Sequence, residues 1–208
     1  MIPAQEALAR LHDGNRRFVA EVRSHGSLSQ SRRREVAVAQ EPLAIVLGCS
    51  DSRVPAEIVF DQGLGDLFVI RVAGNIVAPS QVASVEFAAE RFGTRLVVVL
   101  GHSQCSAVQA TLEELSRPAR GSSRNLDAIV DRIRPGIEGL LEAELGHAPA
   151  TLLHHAVRAN VRVSANHLRH GSTILEQMIQ NDGLLVVGAE YSLETGIVDF
   201  FDGMPRPR

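Results

Sequence analysis

The chain has 208 residues, 45% hydrophobic and 22% charged, with a formal net charge of −3. That length suits one domain with a substantial core, and the charge gives no reason to expect nucleic acid or another polyanion as partner. All 21 basic residues are arginine; nothing in folding physics demands this, and Arg32-Arg33-Arg34 reads as a solvated helix face.

Residues 1–10 have no apolar stretch behind a basic start, so no secretory signal is read. The longest apolar runs, such as 96–100, are far too short to span a bilayer. The expected location is therefore the cytoplasm, without membrane attachment. In that reducing setting the two cysteines, Cys49 and Cys105, read as free thiols or metal ligands before a structural disulfide.

In chain order, residues 4–22 predict an amphipathic helix, with Ala7, Leu8, Leu11, Phe18 and Val19 at helical spacing. Residues 24–31 read as a loop, and a short helix carries the arginine-rich stretch to about Ala39. Three apolar runs, 43–47, 67–72 and 96–100, are short and mostly rich in Val or Ile, as buried strands of a parallel sheet are. A helical pattern through Val82, Val85, Phe87, Ala88 and Phe92 ends at Gly93 and separates the second from the third. Residues 107–115 read as helix, 116–123 as loop, and long helical patterns follow to about Gln180. A buried strand is expected at 184–188 and an edge strand at 196–201. Strand and helix alternate, so the fold class is α/β, a mainly parallel central sheet flanked by helices. One domain is expected over 1–208, a helical arm at 1–39 followed by the α/β core at 40–208.

Two strands end alike: Ile45-Val46-Leu47-Gly48-Cys49 and Val98-Val99-Leu100-Gly101-His102. Ligands of an open parallel sheet gather beyond the carboxyl ends of its strands. If these strands are neighbours, Cys49 and His102 reach one ion, and Cys105, three residues on, completes a Cys2His set. Zinc accepts such donors, and three protein ligands leave a fourth position for chemistry. On spacing alone the same residues also fit two small packed thiols and an unrelated histidine. Asp51 and Arg53, just after Cys49, read either as an acid–arginine pair beside the metal or as an ordinary loop ion pair.

Cys49-Ser50-Asp51-Ser52-Arg53-Val54-Pro55 followed by Gly101-His102-Ser103-Gln104-Cys105 resembles the signature of the β-class carbonic anhydrases. The stretches Gly65 to Arg71, Gly74-Asn75, Leu11 to Phe18 and Tyr191 to Val198 are similar to that family as well, so the resemblance spans nearly the whole chain. It implies zinc held by Cys49, His102 and Cys105, and reversible hydration of CO2 to bicarbonate by hydroxide on that zinc. Asp51 and Arg53 would form the catalytic dyad, with Asp51 as fourth ligand in a closed form. Gln40 would bind substrate from a partner subunit, and Phe68, Ala73 and Phe87 would line the CO2 pocket; core packing is their plainer reading. A homodimer or homotetramer is implied. Ser106, counted with the substrate-binding residues, stands where most members have Gly, and would be strained if that backbone needs φ > 0. Arg71 and Tyr191 match two of three residues of an allosteric bicarbonate site. The third, a Trp, is Val46 here, so that site is expected to be absent or weak. Two alternatives share the framework: a hydrolase of carbon disulfide or carbonyl sulfide, and a non-catalytic zinc-binding homologue.

Overall fold

The computed structural model describes residues 2–22, 29–116, 123–143 and 148–205, without the side chains of 142 and 143. Its elements are α1 (Ala4–Val19), α2 (Gln30–Val36), β1 (Ala44–Gly48), α3 (Ala56–Val59), β2 (Leu67–Arg71), a 3-10 turn (Ala73–Asn75), α4 (Pro79–Arg91) and β3 (Leu96–His102). Then follow α5 (Ser106–Ser116), α6 (Arg124–Ala143), α7 (Pro149–His170), α8 (Thr173–Asn181), β4 (Leu185–Tyr191) and β5 (Val198–Asp202). The sheet order is β2-β1-β3-β4-β5; the first four strands are parallel and β5 is antiparallel to β4. The α/β class read from the sequence is the observed one.

The all-apolar strands are explained by two covered faces. Ala44, Val46, Leu96, Val98 and Leu100 join Val187 and Ala189 against α1 and α3. Their alternate neighbours Ile45, Leu47, Val97, Val99 and Val186 pack against α4, α7 and α8. Successive strand residues point to opposite faces, so a strand buried on both sides cannot show polar alternation.

The first helix stops at Val19, three residues before the expected end; Glu21 takes a left-handed φ of 58° that ends it. Its Ala4, Ala7, Leu8 and Leu11 are buried in the core of this same chain. Gly14 permits the close docking, because a Cβ there would lie 1.8 Å from the Phe60 carbonyl oxygen. Next to it the buried Asn15 donates to the carbonyls of Val59 and Gly196 and accepts from the Val198 N–H. One side chain thus ties α1 to α3 and to the start of β5.

Strands β3 and β4 run further than expected, to His102 and Tyr191, in register with each other to their ends. The expected loop at 116–123 falls largely on residues outside those described, as does most of that at 24–31. Among the described residues no helix is long and apolar enough to cross a membrane.

Candidate metal centre

β1 and β3 are parallel neighbours, with Gly48 paired to Leu100, so both carboxyl ends open on the same edge of the sheet. Cys49 leaves β1 there and His102 closes β3. The chain then turns through Gln104, whose φ of 56° is left-handed, and brings Cys105 back immediately before α5. The three ligand atoms lie within 4.8 Å of one another, and all three residues are buried.

The histidine presents a defined face. Its Nδ1 lies 2.9 Å from the Ser103 carbonyl oxygen. A carbonyl only accepts, so Nδ1 carries the proton and Nε2 of the neutral ring is a bare lone pair. Nε2 is fully buried and, among the described residues, has no hydrogen-bond partner. A buried acceptor without a partner is costly, unless a cation takes the lone pair.

The two sulfurs are unequal. The adjacent Cys105 thiol, against the opposing effect of burial, holds the Cys49 thiol below its ordinary range. The closeness of Cys49, together with burial, pushes Cys105 up. Burial, the largest single influence on His102, lowers its pKa, but Cys49, the Ser103 carbonyl and Asp51 together outweigh it and the net shift is upward. The Gly74 N–H, 3.4 Å from Cys49 Sγ, adds a backbone donor to the thiolate. Two sulfurs and one imidazole nitrogen, converging and buried, are a donor set suited to Zn2+.

Asp51 and Arg53 are paired at the rim. Arg53 donates from Nε to Oδ1 at 2.9 Å and from an Nη to Oδ2 at 2.7 Å, and its backbone N–H also reaches Oδ1. These bonds, the side-chain ones foremost, hold the Asp51 carboxyl well below the usual carboxylate range. Asp51 Oδ2 also lies 3.9 Å from His102 Nε2. Arg71 spends Nε on the Cys49 carbonyl and an Nη on that of Asp51. The loop carrying the first cysteine and the dyad is therefore anchored from β2.

Ala73 opens the 3-10 turn whose Gly74 touches Cys49. Phe68 and Phe87 join Phe92 in an aromatic group with centroids 5.7–6.3 Å apart, and Phe87 is 53% exposed. Gln40 is exposed in a surface hollow shared with Val36, Leu64 and Phe92, apart from the cysteine–histidine cluster of its own chain. Ser106 is the first residue of α5, and it is not among the left-handed non-glycine positions, which are Glu21, Asp61, Asn75 and Gln104. Tyr191 is buried and faces Phe18. Val46 lies inside β1 with no exposed surface.

Sequence reading alone missed the roles of Gly74, Asn160, Ser164 and Glu194. Glu194 accepts from Ser103 Oγ, Gln104 Nε2 and Ser192 Oγ, bracing the bend between His102 and Cys105. Asn160 and Ser164 are a polar pair four apart on the buried stripe of α7, a visible signal whose target was not.

Comparison with known proteins agrees with this architecture. The family model described as carbonic anhydrase matches residues 44–198. The chain is 40% identical to a carbonic anhydrase of Mycolicibacterium smegmatis, over 91% of this chain and 89% of the relative. It is 36% identical to carbonic anhydrase 2 of Mycobacterium tuberculosis, over 89% and 87%. A solved β-carbonic anhydrase of Aspergillus fumigatus superposes with a TM-score of 0.75 at 25% identity, over 97% of this chain and 92% of that one. With a converging Cys2His set at the sheet edge and relatives aligned over most of its length, the chain belongs to the β-class carbonic anhydrase family.

Proposed function

We propose that the protein is a zinc enzyme that reversibly hydrates CO2 to bicarbonate and a proton. The observation that carries this is the bare, buried Nε2 of His102 converging with the Cys49 and Cys105 sulfurs beside a carboxylate already fixed by Arg53. Cys49, His102 and Cys105 would hold Zn2+, which when bound supplies the Lewis acidity that makes water nucleophilic near neutral pH.

The chain's own residues do the rest. Two thiolates cancel the charge of a divalent ion, so the positive charge of Arg53 at the rim favours an anionic nucleophile over water. Asp51, held as the anion by Arg53, accepts a hydrogen bond from the attacking oxygen and orients its lone pair toward carbon. Ala73, Phe68 and Phe87 supply an apolar wall suited to a neutral, linear substrate. Arg71, engaged with two backbone carbonyls, and Val46, interior to β1, support the reading that an allosteric bicarbonate site is absent or weak.

A homodimer or homotetramer is part of the proposal. β2 is an edge strand, and Phe87 and Val38 are apolar yet exposed in the single chain. A partner covering this side would also bring in the Gln40 of the other subunit. Two free thiols suit a cytoplasmic setting.

Zinc content and stopped-flow CO2 hydration, measured on one preparation from about pH 7 to 9, test the reading. About one zinc per chain with activity rising with pH is expected. Zinc without hydration, but with sulfide released from carbon disulfide or carbonyl sulfide, would reassign the substrate. Zinc with neither activity would indicate a non-catalytic homologue, and absence of zinc would overturn the assignment.

A further inference from the structure

The donor side of Cys49 is built by a part of the fold remote in sequence. The 3-10 turn after β2 is left-handed at two successive residues, Gly74 with φ 69° and Asn75 with φ 44°. A non-glycine residue holds such a conformation only where its surroundings over-determine it. They do so here. Asn160 Nδ2 donates to the Gly74 carbonyl at 2.8 Å, and Ser164 Oγ donates to that of Asn75 at 3.0 Å. Both side chains come from α7 and are almost completely buried, Asn160 at 1% and Ser164 at 3% exposure. From the other sides the turn is wedged by Ile133 of α6 and Ala107 of α5; a Cβ on Gly74 would lie 2.9 and 3.2 Å from them. So fixed, the turn aims the Gly74 N–H at Cys49 Sγ.

An N–H bond to a thiolate withdraws electron density from the sulfur. Partners of this kind around the ligands set how a metal centre behaves. We propose that Asn160 and Ser164 are positioning residues that hold the Gly74 N–H on the Cys49 sulfur and thereby limit how strongly that thiolate donates to the metal. The proposal rests on the zinc reading above. Neither residue touches substrate or the ligand atoms; both act through the turn.

The test is the cobalt-substituted full-length protein, whose thiolate-to-cobalt charge-transfer band reports the sulfur directly. In Ser164→Ala and Asn160→Leu, cobalt is expected to bind at one per chain, with that band moved to longer wavelength as the sulfur becomes richer in electrons. Transfer of zinc to a chelator should change by about 10-fold relative to wild type. Thr94→Val is the control: it removes another buried bond, from Thr94 Oγ1 to the Pro42 carbonyl, and should lower the melting temperature without moving the band. Should Asn160→Leu fail to fold, Ser164→Ala decides alone. Unmoved bands in the folded variants, or an equal movement in Thr94→Val, would overturn the proposal and leave the metal assignment standing. A wild-type protein that takes up no cobalt or zinc would sink the metal assignment itself.

Discussion

Asp51 Oδ2 stands 3.9 Å from His102 Nε2, while both oxygens of the same carboxylate are held by Arg53. The acid is close enough to reach a metal on that nitrogen, and the arginine holds it back. Removing Arg53 therefore frees Asp51 to become a ligand. Arg53→Ala is expected to keep zinc and lose about 100-fold or more in kcat/KM. X-ray absorption would show the carbon of a bound carboxylate beyond the oxygen that replaces water, and full activity in this variant would refute the dyad.

Asp51→Ala removes the acceptor and leaves the three ligands in place. Zinc content should stay at about one per chain while kcat falls by 100-fold or more, because the hydrogen-bond acceptor that orients the nucleophile is gone. Metal analysis and stopped-flow hydration on the same sample check both halves.

The ligands should link metal to folding. Adding zinc in excess of its dissociation constant to the stripped wild-type protein should raise the melting temperature, because the ion binds the folded chain preferentially. Cys49→Ala and His102→Ala should lose most of that rise, as read by a thermal melt with and without zinc.

His12 lies with its ring 4.4 Å from that of Phe200, joining α1 to β5. Burial first, then the charge of Arg16, lowers its pKa, with Asp13 opposing. The unfolded chain therefore binds this proton more readily than the folded one. The contribution is complete above the ordinary value of 6.5 and is lost as pH falls from there through the lowered folded value. Melting temperatures of wild type and His12→Leu, compared at pH 8 and pH 5, should show the wild type losing more on acidification. Parallel curves would contradict the linkage.

Ser106, expected to be strained if its backbone needed φ > 0, lies outside the left-handed region. Ser106→Gly should thus relieve no strain. Stability should fall by about 0.5 kcal/mol from the added backbone freedom at the start of α5, with kcat/KM within about twofold of wild type in stopped-flow assays. A large gain in either would show that Ser106 distorts the turn.

Gly101 is needed for a different reason. A Cβ there would lie 2.5 Å from Val161 Cγ2, and one on Gly188 would lie 2.8 Å from Cγ1 of the same valine. Both glycines let α7 settle onto β3 and β4. Gly101→Ala should cost about 1–3 kcal/mol, as overpacking does, with part recovered in the Gly101→Ala/Val161→Ala pair, measured by urea unfolding.

What the sequence by itself determined was the α/β class and the buried strands; it brought Cys49, His102 and Cys105 together only on condition that β1 and β3 are neighbours, which the sheet order supplied. Class and strands are local or repetitive properties: buried strands declare themselves as short apolar runs, and two such runs ending alike place their next residues at one edge. Tertiary structure decided the environment of those ligands. The tautomer of His102 depends on the Ser103 carbonyl, and the polarity at Cys49 on a turn braced by Asn160 and Ser164 from α7, 86 and 89 residues away from their partners. Whether Ser106 was strained could be read only from its φ, since the left-handed residue of the bend is Gln104. Periodicity reports which face of an element is buried, but not which backbone group from a distant element meets a given side chain. Hydrogen bonds between elements far apart in the chain leave no regular spacing to read.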